Sequence, residues 1–195
     1  RALTGSHTRL VWSQDQASKD FRGYDDNDKL FGFDTDDGGG VRQICPGGDC
    51  GTFGYTKPLF TMDGGRVVFS NRMDNYVYVV DFDGSNRRQI TQGLATSVRF
   101  IGGVHWVYLR KGDNGLGDDG SDIRRYNLDN TAEWETVWTK SDVGNIHQIW
   151  FTVSGDGARA AGTFPWSSAK SVALPDGGYL GSGNGCWTSM APDDS

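Results

Sequence analysis

No stretch of this sequence shows ten or more residues of clean 3.6-residue hydrophobic periodicity, which excludes a helical bundle. No apolar run approaches the roughly 20 residues that a membrane-crossing helix needs. Proline is scarce, five in 195 residues. There is no clustered basic stretch, and 19 Lys and Arg against 25 Asp and Glu leave a formal charge of −6. That balance argues against nucleic acid and against anionic membrane as partners. No Gly-x-Ser-x-Gly elbow, metalloprotease helix or phosphate loop is present. The histidines number three, His7, His105 and His147, and none stands at zinc-ligand spacing. Signal peptide, initiator Met and tag are all missing, so a chain opening at Arg1 in mid-pattern reads as processed or truncated.

What is abundant is glycine, 29 residues, together with seven Trp, seven Tyr and ten Phe. Many glycines among many aromatics suit short strands joined by tight turns. Of three cysteines, Cys45 and Cys50 enclose Pro46, Gly47, Gly48 and Asp49, a flexible turn-former. A local Cys45–Cys50 disulfide, implying an oxidising compartment, is preferred over two free thiols in a loop. Cys186 is then odd and reads as a small buried apolar residue.

Four acidic turns mark a repeat: Asp34-Thr35-Asp36-Asp37-Gly38, Asp81-Phe82-Asp83-Gly84, Asn127-Leu128-Asp129-Asn130 and Leu174-Pro175-Asp176-Gly177. From Asp36 to Asp83, Asp129 and Asp176 the successive spacings are 47, 46 and 47 residues. A second landmark, Asp63-Gly64, recurs as Asp156-Gly157 two repeats on, with Gly102-Gly103 between. Runs rich in Val, Ile, Tyr and Phe fill the intervals. The second repeat predicts strands at 57–61, 66–70, 76–82 and 87–91; the third at 98–100, 106–110, 123–128 and 135–139. The fourth predicts 148–152, 158–164, 171–174 and a weak strand at 179–180. The first offers only 9–13, 29–33 and 41–44. Four antiparallel strands per interval of roughly 40 to 50 residues describe a β-propeller blade, stacked on its neighbours to bury both faces. The expectation is an all-β propeller, in blades of about 1–47, 48–93, 94–142 and 143–186, with 187–195 starting or closing another. Trp12, Trp106, Trp138 and Trp150 fall in strands and should be core. The four marker turns should be structural, their Asp and Asn side chains bonding nearby backbone.

The second repeat is the most specific. Pro58, Asp63-Gly64, Val67-Val68-Phe69-Ser70, Tyr76-Val77-Tyr78, Asp81-Phe82-Asp83-Gly84 and Arg88-Gln89-Ile90-Thr91 resemble the TolB-like propeller repeat. The first and fourth repeats match at their turns and the third departs most. The chain also resembles large secreted or periplasmic bacterial proteins of unassigned function, through its Thr4–Trp12 opening and its Gly185–Asp193 stretch. This resemblance implies a propeller without a settled activity and a longer parent. A missing first strand and a spare one at 187–191 also permit a closed four-bladed ring. An open arc would need a partner chain, self-association or the missing residues to cover its ends.

Propeller connectivity gathers the variable loops on the face opposite the Asp turns, where recognition is expected. Tyr55, Arg72, Asp74, His147 and Trp166 are the candidate ligand-binding residues. The loop from Lys111 to Asp122 offers hard oxygens for calcium from Asp113, Asn114, Asp118, Asp119 and Asp122, with a solvated acidic loop as the plainer reading. The functional expectation is a non-catalytic secreted or periplasmic binding or scaffold propeller, recognising glycan or protein. The alternatives are a lyase-type polysaccharide-degrading enzyme, drawing on His147, Tyr55 and Arg72, and a structural self-assembling surface protein.

Overall fold

The computed structural model describes residues 5–15, 28–45, 55–71, 73–111, 122–139, 151–163, 168–185 and 189–190. Among these residues there are fifteen strands and no helix. Each sheet is an antiparallel meander in chain order. The first holds β1 (Arg9–Asp15), β2 (Asp28–Asp34) and β3 (Arg42–Gln43). The second holds β4 (Tyr55–Phe60), β5 (Arg66–Asn71), β6 (Tyr76–Asp81) and β7 (Arg88–Gln92). The third is β8 (Leu94–Ile101), β9 (Val104–Lys111), β10 (Asp122–Asn127) and β11 (Trp134–Trp138). The fourth is β12 (Phe151–Val153), β13 (Arg159–Thr163), β14 (Ser168–Ala173) and β15 (Tyr179–Asn184). Each sheet lies within one repeat interval. The chain divides into two compact units, Arg1–Thr91 with the first two sheets and Gln92–Ser195 with the last two.

The central strands explain why the sheets form. β6 is almost entirely Val and Tyr and β5 carries Val67-Val68-Phe69 at its centre, residues that suit a pleated surface, and both strands are buried on both faces. In the first unit Leu30, Ile44 and Cys45 pack with Val67, Phe69, Tyr78, Val80 and Phe82, so two sheets share one core. Gly32 makes this approach feasible: a Cβ there would stand 2.7 Å from Ile44 Cδ1 and 3.0 Å from the Phe82 ring. In the second unit Trp106, Tyr108, Ile123 and Trp138 pack with Phe151, Val153, Ala160 and Val172.

The first turns of the second and fourth sheets are built alike. Asp63 Oδ1 accepts from the Thr61 hydroxyl (2.6 Å) and the Gly65 N–H (3.0 Å). Asp156 Oδ1 accepts from the Ser154 hydroxyl (2.6 Å) and the Ala158 N–H (2.9 Å). These are side-chain-closed turns of the kind Asp favours. The marker aspartates diverge more than expected. Asp83 takes both the N–H and the hydroxyl of Ser85. At Asp36 and Asp129 the backbone N–H is held instead, by Asp34 and by Asn127. The Asp176 carboxylate accepts from the N–H and hydroxyl of Thr139, both at 2.6 Å, tying the fourth sheet to the third.

Other expectations shift at the margins. β4 begins at Tyr55, with a bulge between Thr56 and Leu59. The weak strand at 179–180 is a six-residue strand, β15. Of residues 187–191, Ser189 and Met190 are described and neither is in a strand; the Met190 N–H donates to Thr152 Oγ1 at 2.9 Å. Trp106 and Trp138 are core, while Trp12 is half-buried, stacked on Phe31 with centroids 6.0 Å apart. Trp150 lies outside the described residues.

Candidate functional site

The described clefts of the first unit lie at the Asp-turn end of its sheets. Strand register puts Arg9 opposite Asp34 at one end of the first sheet, and Arg66 opposite Asp81 at one end of the second. Arg9 joins the two: its Nη1 donates to the Gly64 carbonyl at 2.9 Å. Its Nε donates to Asp34 Oδ2 at 2.7 Å, and its guanidinium carbon stands 5.0 Å from the Phe82 ring centre. Arg42 lies 4.9 Å from the same ring and pairs with Asp37. Both cations therefore rest on one buried aromatic ring, each with one edge held by a carboxylate.

Asp34 is the hub. It is 5% exposed, and besides Arg9 it accepts at Oδ1 from His7 Nε2 (2.7 Å) and from the Asp36 N–H (2.8 Å). The Arg9 guanidinium first, then the Asp36 N–H, and less strongly His7, hold its carboxyl far below the usual carboxylate range, against the opposing pull of burial. Asp37 is lowered by the Gly39 N–H and then Arg42; Asp83 is lowered by the Ser85 hydroxyl and N–H. A carboxyl whose pKa falls on folding contributes stability above its unfolded pKa of about 4, and that stability disappears as pH drops below it. Urea titrations of the full chain from about pH 5 down to about pH 2 should therefore show stability falling with acid. In Asp34→Asn the fall should be shallower; an unchanged pH dependence would remove Asp34 from the role of acid-sensitive hub.

Two clefts flank Arg9. One, of about 320 Å³, is lined by His7, Arg9, Phe60, Thr61, Met62, Asp63 and Gly64. The other, of about 290 Å³, is lined by Arg9, Arg42, Gly65, Asp81, Phe82 and Asp83. The surroundings hold Arg9, Arg42 and Arg66, the last opposite Asp81 in register, against Asp34, Asp37, Asp63, Asp81 and Asp83. A site of that balance repels a simple polyanion. It suits a ligand that offers hydrogen-bond donors to carboxylates and acceptors to guanidinium within one stretch. Among the described residues His7 bonds Asp34, and Thr61 lines the same cleft.

The residues singled out from sequence are mostly elsewhere. Asp74 sits at the opposite end of the second sheet, where it is structural: it accepts from the Tyr76 N–H (3.0 Å), the Tyr78 hydroxyl (2.6 Å) and Asn71 Nδ2 (3.2 Å). Burial, and then Asp74, push the Tyr78 phenol up to about 12. Asp122 opens β10 and pairs with Arg124 at 3.3 Å. Among the described residues no group of three His, Cys, Asp or Glu could hold a metal ion. Cys45 is buried and disulfide-bonded. Tyr55 is described only as backbone of β4. Arg72, Asp113, Asn114, Asp118, Asp119, His147, Trp166 and Cys50 lie outside the described residues. Sequence reasoning did not single out His7, Arg9 or Asp34, although His7 and Arg9 belong to the Thr4–Trp12 stretch that carries the wider resemblance.

Four consecutive antiparallel meanders, one per repeat and packed face to face within each unit, make this an all-β propeller fold. It is TolB-like: the chain is similar to TolB from Acinetobacter baumannii, with a TM-score of 0.60 and 16% identity over 95% of this chain and 45% of that one. A chain of the nidogen/laminin complex aligns with a TM-score of 0.58 and 14% identity, covering 86% and 63%. A Bacteroides caccae protein of unknown function aligns at 0.53 and 15%, covering 95% and 62%. The chain thus spans less than two thirds of each. No protein-family model matches the sequence, and no curated protein does.

Proposed function

We propose that this chain is a non-catalytic, secreted or periplasmic binding or scaffold propeller that takes a polypeptide segment at the Asp-turn end of its first unit. The observation that carries the reading is the position of Arg9, which walls both clefts while Asp34 and Gly64 hold it in place. A cation fixed in this way meets a ligand carbonyl or carboxylate at little entropic cost. The carboxylates around it match main-chain N–H groups. A sugar ring is the poorer fit here, because Phe82, at the floor, is 4% exposed beneath two guanidinium groups. An oxidising compartment is supported by the disulfide at Cys45, for which Cys50 is the proposed partner.

Peptide and glycan arrays probed with the full chain, with hits measured by calorimetry, test the reading. Peptide binding is expected, with Kd raised about tenfold or more in Arg9→Gln, the loss of one charge-assisted hydrogen bond. Glycan binding that survives Arg9→Gln would instead favour the variable-loop end and overturn this site.

A further inference from the structure

The first turns of the second and fourth sheets close by the same bonds, yet they differ in kind at one position. Beyond the aspartate contacts, the Thr61 hydroxyl accepts from the Arg66 N–H at 3.0 Å and the Ser154 hydroxyl from the Arg159 N–H at 2.9 Å. The Thr61 carbonyl accepts from Gly64 and the Ser154 carbonyl from Gly157. Met62 stands where the fourth sheet has Gly155. This turn therefore closes without any side chain at that position, and its geometry does not account for a methionine. Met62 is 64% exposed, more than any other large apolar residue among those described. With Phe60 it gives the cleft of about 320 Å³ beside Arg9 its apolar lining. The polar lining is engaged within the chain. Thr61 is buried and bonds Asp63 and Arg66, Asp63 also holds the Gly65 N–H, and His7 Nε2 bonds Asp34. Arg9 spends Nε on Asp34 and Nη1 on the Gly64 carbonyl, while its Nη2 has no hydrogen bond among the described residues.

We infer that Met62 is a specificity residue of the Arg9 site, selecting a peptide segment that places an apolar side chain in this cleft beside the carbonyl that Arg9 receives. The inference rests on the peptide reading above. An apolar side chain gains by covering Met62 and Phe60. A charged one does not. A carboxylate would reach Arg9 only in the company of Asp34 and Asp63, and an ammonium would reach those carboxylates only in the company of Arg9. A thioether on a flexible stem adapts to its neighbour, so the preference is for apolar side chains as a class, Leu, Met and Phe alike. The second cleft has no such lining. Its aromatic ring, Phe82, is buried beneath the guanidinium groups of Arg9 and Arg42, which confines the apolar choice to the first cleft.

Phage-displayed random peptides selected on the full chain are the probe, and calorimetry of synthetic copies reads Kd. The selected peptides should share one apolar position, and Lys or Glu placed there should raise Kd about tenfold or more. Met62→Ala should raise Kd about fivefold or more for the apolar peptide, and Met62→Leu should keep it. For the same peptide with Ala at that position, Met62→Ala should change Kd by less than about twofold. The melting temperature of the free Met62→Ala chain should match wild type, because the turn is closed by Thr61, Asp63 and backbone. Peptides that bind through Arg9 but share no apolar position would overturn the inference and leave the peptide site standing. So would a loss on Met62→Ala that is absent, or equal with and without the apolar side chain. No peptide binding, or binding indifferent to Arg9→Gln, would overturn both readings.

Discussion

Gly93→Ala is expected to destabilise the second unit by about 3 kcal/mol or more, the largest effect of any single-methyl change described in this chain. Gly93 is the sole residue between β7 and β8, and it has φ +140°, a conformation that L side chains rarely adopt. A Cβ there would lie 2.4 Å from the Arg110 carbonyl oxygen and 2.9 Å from Leu109 Cδ1. The first of these contacts is backbone in the adjacent strand, so no rotamer change relieves it. Thermal and urea unfolding of the variant are the measurements. A loss below about 1 kcal/mol would show that the linker can relax, and that Gly93 does not set the entry of β8 into its sheet.

Trp138→Ala should cost about 3–5 kcal/mol, the range for emptying a large aromatic site in a packed core. The side chain is 0% exposed, belongs to the core shared by the third and fourth sheets, and meets the Tyr179 ring edge-on at 6.1 Å. Its backbone neighbours make the site hard to collapse. Val137 accepts from the Asp176 N–H, and Thr139 is held twice by the Asp176 carboxylate. Calorimetric unfolding should show a melting transition lowered or lost, while Trp138→Phe retains most of the stability. Equal stability of Trp138→Ala and wild type would mean that the two sheets do not depend on this ring.

The residues also show why the fold was readable before the site was. β5 and β6 declare themselves because Val67-Val68-Phe69 and Val77-Tyr78-Val79-Val80 carry the strand preference in their own side chains. The meander order follows from equal repeat intervals, which constrain every blade at once. β15 reads weakly because Gly181, Ser182 and Gly183 have little strand propensity; its pairing with β14 and the Tyr179–Trp138 contact supply what the local sequence does not. The Arg9 site is a matter of register. His7 and Arg9 precede Asp34 by 27 and 25 residues, and only strand pairing brings them to one carboxylate. Asp34 taken alone looks like one more turn aspartate. The face that connectivity favoured contributes Asp74 and Asp122 among the described candidate side chains; Asp74 is spent on its own turn and Asp122 pairs with Arg124.

Because Arg9 is bolted to Asp34 on one sheet and to the Gly64 carbonyl on the next, whatever grasps it straddles the seam. A bound guest would act as a staple, and the molecule would withstand heat in proportion to how tightly the guest is held. The search for that guest could then be run as a melting screen, with no label and no prior idea of its sequence.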